Sequence, residues 1–478
     1  MFIIRIFKIL TISISLILSI LYLIGCGVVQ PAQPQSSDVN ATASTATTTS
    51  SSTALQTEGK TYYVSPSGND SNPGTIDKPF KTIQHAADIV VAGETVLIRD
   101  GFYNEHVEPA NSGDENAGYI VFSAYPDEKP VIDGDGISVP EFGGLFDVSG
   151  KSYIKITGLR VKNSEGAGIF AEYSSYIIIE KNYTNNTVSS GIGIWNSNNI
   201  IIDNNEVELA CNDGEQECIT VAGTNIFEVK NNHVYNGGPG THGGEGIDAK
   251  DGSYDGAIHD NNVHNLNGRL GIYVDAWDKH TYDIEVFSNI VHDIEGADGF
   301  TISSEAGGLL EDVTIYNNIA YNNGLSVLTF SSCCEDLAAK HPVKDVKVIN
   351  NTFYNNGSGT WGGGVSLENP DAQNIVIRNN ILSQNLIFQI QVEVPVQNLT
   401  VEYNLIDGYR GYSYEIYGRN YVVGDPMFVN PSESDFHILG NSPAIDRGSP
   451  IDAPINDFDG NTRPQGSGYD IGAYEVVK

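Results

Sequence analysis

A lysine and several carboxylates lie close together in residues 244–252, a short segment bounded by glycine. Asp248 and Lys250 are two positions apart, so they share one face of a strand, and Glu245 comes just before them. Carboxylate oxygens are the ligands that a hard cation such as Ca²⁺ prefers, and a lysine amine can remove a proton once it is uncharged. The segment is therefore a candidate site for polar chemistry.

Carboxylates also occur at Glu217, Asp275 and Asp298. If neighbouring segments form adjacent strands, the Cα atoms of Asp248 and Asp275 lie roughly 8 Å apart, from one inter-strand step and two residues along the strand. This separation overlaps the spacing of the carboxyl pair in inverting glycoside hydrolysis, and Asp275 with Asp298 is a second such pair. Hydrolysis by paired carboxylates is therefore an alternative to proton removal by Lys250.

Other side chains near these segments suit a carbohydrate. An arginine guanidinium can neutralise a developing negative charge, which makes Arg269 a candidate catalytic residue. An exposed aromatic ring can stack on a sugar ring with little loss of entropy. We expect substrate contacts from His242, Tyr273, Trp277, Trp195 and Glu305.

The elements that position these side chains follow from an internal repeat. From about Lys151 the chain repeats a Gly-apolar-x-apolar strand, a polar loop, an apolar triplet such as 177–179 or 200–202, and an Asn-rich turn. One coil cannot bury its own apolar residues, but stacked coils can form parallel ladders around an aliphatic interior. The repeat predicts an all-β protein, a right-handed parallel β-helix. Its strands place in one interior stack Ile169, Ile192, Ile219, Ile247, Ile272 and Phe300.

Asparagine pairs end successive units and are expected to hydrogen-bond to the asparagine of the next coil. An amphipathic stretch at 80–91 predicts a short N-terminal capping helix, because the end of a solenoid exposes its interior. The predicted divisions are a lipoprotein signal peptide at 1–25, a Ser/Thr-rich tether at 26–60, a cap and first coils at 61–150, the β-helix with the active-site face at 151–423, and a closing segment at 424–478.

The N-terminus predicts export. Arg5 and Lys8 precede an apolar run that ends in Leu-Ile-Gly-Cys, which resembles a bacterial lipobox with Cys26 as the acylated residue; a plain membrane anchor is the alternative. We expect an extracytoplasmic monomer attached to the bacterial cell membrane or cell surface through this lipid. In that oxidising location Cys211 and Cys218 form either a bridge or two buried thiols.

The composition excludes other classes. The chain has 60 acidic and 25 basic residues, a formal net charge of −35, and such a surface repels phosphate backbones. Nucleic acid is therefore not an expected partner. The five cysteines contain no paired CxxC, which argues against structural zinc.

The beginning and the end of the predicted β-helix region resemble known families. Residues 62–70, 79–83 and 101–103 resemble the opening segment of extracellular pectate-lyase-like β-helix proteins, and residues 442–446, 457–461 and 470–475 are similar to a closing segment of exported bacterial β-helix proteins. The resemblance implies the β-helix fold. This fold hosts lyases, hydrolases, epimerases and noncatalytic adhesins, so the fold alone does not define a reaction.

The segment around Lys250 resembles the catalytic strand of polysaccharide lyase family nine and, more loosely, family six. In these families a calcium-binding acidic residue precedes the catalytic lysine by five positions, as Glu245 precedes Lys250. The resemblance implies Ca²⁺ held by Glu217, Glu245 and Asp248, with Lys250 as the base and Arg269 as the charge stabiliser. The family-nine aspartates expected one coil later are absent around Gly271, so the implied ion site is nearer to family six.

We predict a polysaccharide lyase that cleaves a uronate-containing chain by calcium-assisted β-elimination. The alternatives are a glycoside hydrolase that uses the same face and a noncatalytic glycan-binding surface protein. Lys250 has a second interpretation, because carboxylates raise a lysine pKa and Asp275 is predicted to stack beneath it. Lys250 is then only the partner of Asp275 in a cross-strand ion pair.

Overall fold

A computed structural model describes residues 59–140, 142–212, 216–238, 243–332, 337–358 and 361–477. The predicted signal peptide, the lipidation site Cys26 and nearly all of the tether lie outside these ranges, and so does His242. Within these ranges no helix is both long and apolar enough to cross a membrane.

Three parallel sheets form the body of the protein. In the described ranges, sheet A has fourteen strands, with the bounds Thr61–Val64, Thr95–Ile98, Ile120–Ala124, Ser152–Thr157, Ser175–Glu180, Asn198–Asp203, Asn225–Lys230, Tyr254–His259, Thr281–Phe287, Leu310–Tyr316, Val343–Ile349, Ala372–Gln373, Val376–Arg378 and Thr400–Glu402. Each coil adds one strand or a split pair to this sheet, so neighbouring strands come from successive coils.

The other two sheets have the same coil-by-coil order. The described strands of sheet B are Phe102–Tyr103, Val131–Asp133, Arg160–Lys162, Tyr183–Asn185, Glu206–Glu208, His233–Tyr235, Asn262–His264, Ile290–His292, Ile319–Tyr321, Thr352–Tyr354, Ile381–Ser383, Leu405–Asp407 and Val422–Val423. Those of sheet C are Gly144–Asp147, Ala167–Glu172, Ile192–Trp195, Ile219–Ala222, Ile247–Lys250, Ile272–Ala276, Phe300–Ser304, Leu328–Ser331, Val365–Leu367 and Ile390–Val392. The predicted fold class, an all-β parallel β-helix, is confirmed.

The register of sheet C agrees with the predicted interior stack. Ile247 pairs with Ile219 on one side and with Ile272 on the other, and Ile272 pairs with Phe300. All of these side chains are at most 1% exposed. Since successive residues of a strand point to opposite sides, this register puts Asp248 and Lys250 on the outer face of sheet C.

The turns between sheets A and B carry the predicted asparagine ladder. The amide of Asn205 donates to Asn232 at 3.0 Å, and Asn232 donates in turn to Asn261 at 3.0 Å. The residue before each has a left-handed backbone, as at Asn204 with φ of 56°. In the pairs 204/205 and 231/232 the second asparagine forms the ladder, and the first has the left-handed backbone. In the pair 261/262 the first asparagine forms the ladder, because Asp260 has the left-handed backbone there.

The N-terminal helix is shorter than predicted. It extends over Ile83–Ile89 instead of 80–91, with Thr82 as its N-cap at 3.2 Å from the His85 amide. It ends there because Val90 adopts an extended backbone. Ile83 and Ala87 on its inner face are fully buried against the first coils.

The C-terminal segment packs along the side of sheet B. It contains a hairpin of Phe428–Asn430 and Asp435–Ile438 joined by the 3₁₀ turn Pro431–Glu433. Phe436 contacts Tyr321 with ring centroids 5.0 Å apart, and the Gly472 amide donates to the Asn379 carbonyl. This segment therefore covers the outer surface of several coils.

Candidate active site

A groove of about 350 Å³ opens on the outer face of sheet C. Its floor comes from the strands at 247–250 and 272–276, and its walls come from the loops that precede and follow these strands. The predicted site residues that it brings together are Trp195, Glu217, Glu245, Asp248, Lys250, Tyr273, Asp275, Trp277 and Glu305. The loops bury the groove floor, because Asp248 and Asp275 are only 1% and 3% exposed although they belong to the outer face.

Lys250 and Glu217 form an ion pair at the centre of the groove. The Glu217 side chain is held by Thr220, whose hydroxyl donates to Oε2 at 2.8 Å. Thr220 is itself hydrogen-bonded to Ser190 at 2.8 Å. The carboxylate thus has a fixed position, with one oxygen on Thr220 and the other on the Lys250 ammonium.

The partner of Lys250 differs from the one expected. The second interpretation paired Lys250 with Asp275, but the Lys250 ammonium contacts Glu217 and lies 3.9 Å from Asp248 Oδ2. The residue paired with Lys250 on the preceding strand is Ala222. Because alanine leaves space there, we attribute the change of partner to the long lysine side chain reaching back toward the preceding coil.

Burial and mutual repulsion raise the pKa values of the carboxyl groups in the groove. Burial raises the pKa of Glu245 to about 7, with a further contribution from Glu217. Burial also raises the pKa values of Asp248 and Asp275 well above the ordinary value, and the Asp275 charge raises that of Asp248 further. Each carboxyl group therefore ionises more readily when a cation lies nearby.

The pKa of Lys250 is also raised. Burial alone would lower it, but the negative charges of Glu217, Asp248 and Asp275 outweigh the burial. Lys250 is therefore an ammonium ion at neutral pH in this arrangement. It becomes a base only when the surrounding negative charge is reduced.

Three carboxyl oxygens of groove residues are buried and have no hydrogen-bond partner: Oδ1 of Asp248, Oδ1 of Asp251 and Oδ1 of Asp275. Carboxyl oxygens without a partner in a polar site suit a hard cation, which would also favour their ionised form, so the donor chemistry fits Ca²⁺. Among the described residues no three acidic, histidine or cysteine side chains already converge on one metal position. An ion shared by Glu217 and Asp248 would therefore have to displace the Lys250 ammonium from Glu217.

Aromatic side chains flank the groove. The Lys250 ammonium lies 5.7 Å from the centre of the Trp195 ring, which packs edge-on against Phe142 at 5.0 Å. Trp277 on the other side is 42% exposed. Tyr273 is 6% exposed and donates its hydroxyl to Glu305, so it forms part of the floor and offers little surface for stacking.

Arg269 is not among the residues that line the groove, but it lies beside Gly244, which is between the groove residues Gly243 and Glu245. Its side chain is half-buried beside Gly244, and its charge lowers the pKa of Glu245. An added Cβ at Gly244 would come within 3.0 Å of the Arg269 side chain, so glycine permits this close approach.

Asp298 belongs to a separate polar cluster. Asp298 lies one coil beyond the groove floor. Its carboxylate accepts a hydrogen bond from the Ser326 amide at 2.8 Å and interacts with Thr329, and both of these residues belong to the following coil. Burial raises its pKa to about 7. It does not line the groove, which leaves Asp248 with Asp275 as the carboxylate pair there.

This raised pKa predicts a stability change with pH. A buried carboxyl whose folded pKa lies above its unfolded value of 3.8 stabilises the fold while it is protonated, and this contribution is lost as the pH rises through about 7. We expect Asp298→Asn, whose amide oxygen keeps the Ser326 contact, to raise the melting temperature at pH 8 by about 2 °C or more and to have little effect at pH 4. Thermal melts of both proteins across this range check it, and an equal shift at both pH values would contradict it.

Some residues of the groove were not found from the sequence. Gln216, Gly243 and Asp251 line it, and Phe142 supports Trp195 from a loop two coils away. Asp251 could have been found from the sequence, because it is an acidic residue directly after Lys250. No periodic pattern identifies a loop residue such as Phe142. Cys211 and Cys218, which flank the loop before Thr220, are buried free thiols, so the structure has no bridge between them.

Comparison with known proteins places the chain among β-helix proteins. The model described as "Right handed beta helix region" matches residues 144–309 and 267–430, together more than half of the chain. The model described as "Pel9A-like, right handed beta helix region" matches residues 62–213. The second match ends before Glu217, so the residues of the groove floor lie in the part matched by the general model.

Two curated relatives match the chain, and the name of only one of them states an activity. The chain is 27% identical over 449 residues to the uncharacterized protein YwoF of Bacillus subtilis, covering 81% of this chain and 92% of the relative. It is 29% identical over 154 residues to pectate lyase PEL9 of Emericella nidulans, covering 29% of this chain and 37% of that protein.

Two solved structures have the same fold. Pectate lyase Pel9A superposes with a TM-score of 0.56 at 19% identity, over 87% of this chain and 96% of the other. The complex of XylC with xylose superposes with a TM-score of 0.57 at 15% identity, over 87% and 98%. With the family matches, these similarities confirm the predicted hand of the solenoid, and the chain belongs to the right-handed β-helix family, with a Pel9A-like region at its N-terminal side.

Proposed function

We propose that this protein is a polysaccharide lyase that cleaves a uronate-containing polysaccharide by β-elimination. The observation that carries the proposal is the burial of Lys250 among Glu217, Asp248 and Asp275 on the floor of a groove flanked by Trp195 and Trp277. The name of the pectate lyase PEL9 relative supports the same substrate class.

In the proposed reaction, Lys250 first gives up its ammonium proton to water, and the neutral amine then removes the proton next to the uronate carboxylate. The C–H electron pair forms the new double bond, and the glycosidic oxygen leaves with the electron pair of the broken bond and takes a proton from water. We assign to Arg269, which lies beside Gly244 next to the groove residue Glu245, the role of neutralising the carboxylate as it gains enolate character. Trp195 and Trp277 would hold the sugar rings on either side.

Ca²⁺ is part of the proposal, with Glu217, Glu245 and Asp248 as ligands. When bound, the ion would neutralise the uronate carboxylate and so make the neighbouring proton more acidic. The orphaned oxygen of Asp248 and the charge of this cluster support the assignment. Because the positive ion would offset the carboxylate charges that raise the pKa of Lys250, it would favour the neutral amine that proton removal needs.

A product assay tests the proposal. Polygalacturonate, alginate and glycosaminoglycans are offered to the protein, and both the ultraviolet absorbance of unsaturated ends and the number of reducing ends are measured. We expect both signals to rise together on at least one of these substrates. A chelator is expected to abolish both signals and added Ca²⁺ to restore them, while calorimetric titration of Ca²⁺ into the chelated protein gives a binding signal that Asp248→Asn weakens.

A glycoside hydrolase is the second candidate, because Asp248 and Asp275 are both buried and the charge of Asp275 raises the pKa of Asp248. A pair in which one carboxyl stays protonated supplies an acid and a base. Reducing ends without ultraviolet absorbance, insensitive to chelator, would favour this reaction. The absence of both signals on all substrates would contradict both enzymatic proposals and leave glycan binding.

We also propose that the protein works outside the cytoplasm, attached through a lipid on Cys26. The apolar N-terminal run and the Leu-Ile-Gly-Cys sequence support this location. A polymer too large to enter a cell would be met there.

A further inference from the structure

A second aromatic surface lies near the C-terminal end of the solenoid. Residues 409–421 contain five tyrosines and two arginines, and Trp361 packs against them. We call this set the aromatic platform; its rings are Trp361, Tyr409, Tyr412, Tyr414, Tyr417 and Tyr421. Four of these rings are well exposed, with Trp361 at 38%, Tyr409 at 36%, Tyr414 at 47% and Tyr421 at 44%.

The rings are arranged in two groups. Tyr417 lies between Tyr409 and Tyr421, stacked on them with centroid separations of 4.0 and 4.5 Å. Tyr412 joins Trp361 at 5.7 Å and Tyr414 at 5.8 Å, in edge-on contacts. Exposed flat rings that are fixed by their neighbours suit sugar rings, because little side-chain entropy is lost on binding.

The backbone below the platform is held by a buried carboxylate. Glu415 is 5% exposed, and its Oε2 accepts hydrogen bonds from the amides of Arg410 at 2.8 Å and Gly411 at 2.7 Å. Its other oxygen accepts from the Gln389 amide at 2.8 Å, which ties the loop to the last strands of sheet C. The negative charge of Glu415 is thus directed inward, and the loop has a defined shape before any ligand arrives.

The exposed charges of the platform are positive. The Arg410 guanidinium contacts neutral groups, the Leu386 carbonyl at 3.3 Å and the Gln384 amide oxygen at 3.5 Å. The Arg419 side chain is 73% exposed and shares Glu402 with Arg378. On a chain with a net charge of −35, two exposed arginines among aromatic rings are a local site for an anionic sugar polymer.

The Trp361 end of the platform and the groove lie on one edge of the solenoid. Trp361 precedes the strand Val365–Leu367 of sheet C, as Glu245 precedes the strand Ile247–Lys250. Five inter-strand steps separate the Lys250 strand from the last strand of sheet C, which is roughly 24 Å along the axis. A single sugar unit cannot contact both places, whereas an extended polymer can.

We propose that the aromatic platform is a noncatalytic binding site for an anionic, uronate-containing polysaccharide, which it holds while the groove acts on another part of the same chain. This inference rests on the proposed function for the identity of the polymer. It adds a second site, five coil steps from the groove, that affects long chains and not short fragments.

The first test measures binding without turnover. In full-length protein carrying Lys250→Ala, affinity electrophoresis in polygalacturonate and in alginate is compared with electrophoresis in neutral dextran. We expect Trp361→Ala and Tyr412→Ala each to weaken retention in at least one of the two acidic gels by about tenfold. Arg410→Gln should weaken retention less. Phe102→Ala, at an aromatic ring that is 74% exposed on the first strand of sheet B, is the matched control and should not change retention.

The second test separates this site from the groove. In protein with Lys250 intact, the platform variants should raise the KM for the polymer and leave turnover of short fragments unchanged. Three outcomes would each overturn the proposal. The first is unchanged retention of both Arg410→Gln and a folded Trp361→Ala variant in the acidic gels. The second is an equal loss of retention in dextran, and the third is no retention of the parent protein. If retention depends on the platform but no acidic polymer is cleaved, the proposed function fails and the binding site stands.

Discussion

Replacing Lys250 with arginine is expected to reduce elimination by roughly 10²- to 10⁴-fold, the usual contribution of a general base. Arginine keeps the positive charge and can still pair with Glu217, but its guanidinium does not lose a proton at accessible pH. Lys250→Ala should be equally inactive. Steady-state rates on the most active substrate, with melting temperatures for each variant, measure the effect.

A matched control is Lys279→Arg. Lys279 is 55% exposed beside the groove and pairs with Asp251 at 2.6 Å, so its replacement should leave the rate within about twofold. Full activity of Lys250→Arg would exclude proton removal by Lys250. If Asp275→Asn were then inactive and a chelator had no effect, the carboxylate pair would be the catalytic group.

Replacing Ile177 with aspartate is expected to destabilise the fold by several kcal/mol, since it places an unpaired carboxylate in the dry interior of the solenoid. Ile177 is fully buried and stacks between Ile154 and Ile200 in sheet A. Denaturant unfolding, followed by far-ultraviolet circular dichroism, measures the loss.

The neighbouring residue supplies the control, because Ile178 is the same amino acid on the same strand but points outward. Ile178→Asp should change the free energy of unfolding by about 1 kcal/mol or less. If the two variants unfolded alike, or Ile178→Asp were the less stable, the inside and outside of the strand would be exchanged.

The register of the solenoid could be predicted because it follows from side-chain period and from repetition. A strand alternates inside and outside with a period of two, and each coil repeats the same apolar positions, so Ile247 had to stack on Ile219 and Ile272. The asparagine ladder followed in the same way, since each asparagine needs the next for its hydrogen bonds.

Loop contacts did not follow from that pattern. Glu217 and Phe142 come from loops whose length varies from coil to coil, and no periodicity relates them to Lys250 or Trp195. The length of the first helix was also overestimated, because the apolar pattern at 80–91 continues past Val90, where the backbone becomes extended.

The repeat pattern alone was enough to predict a β-helix in which Glu245, Asp248, Lys250 and Asp275 share one region, because such features follow from the alternation of side chains along a strand and from the regular stacking of coils. Three features became visible only in the folded protein: Lys250 pairs with Glu217, Asp298 belongs to another cluster, and loops bury the outer face. Charge partners depend on three-dimensional distances of a few ångströms between separate coils, which linear spacing does not contain.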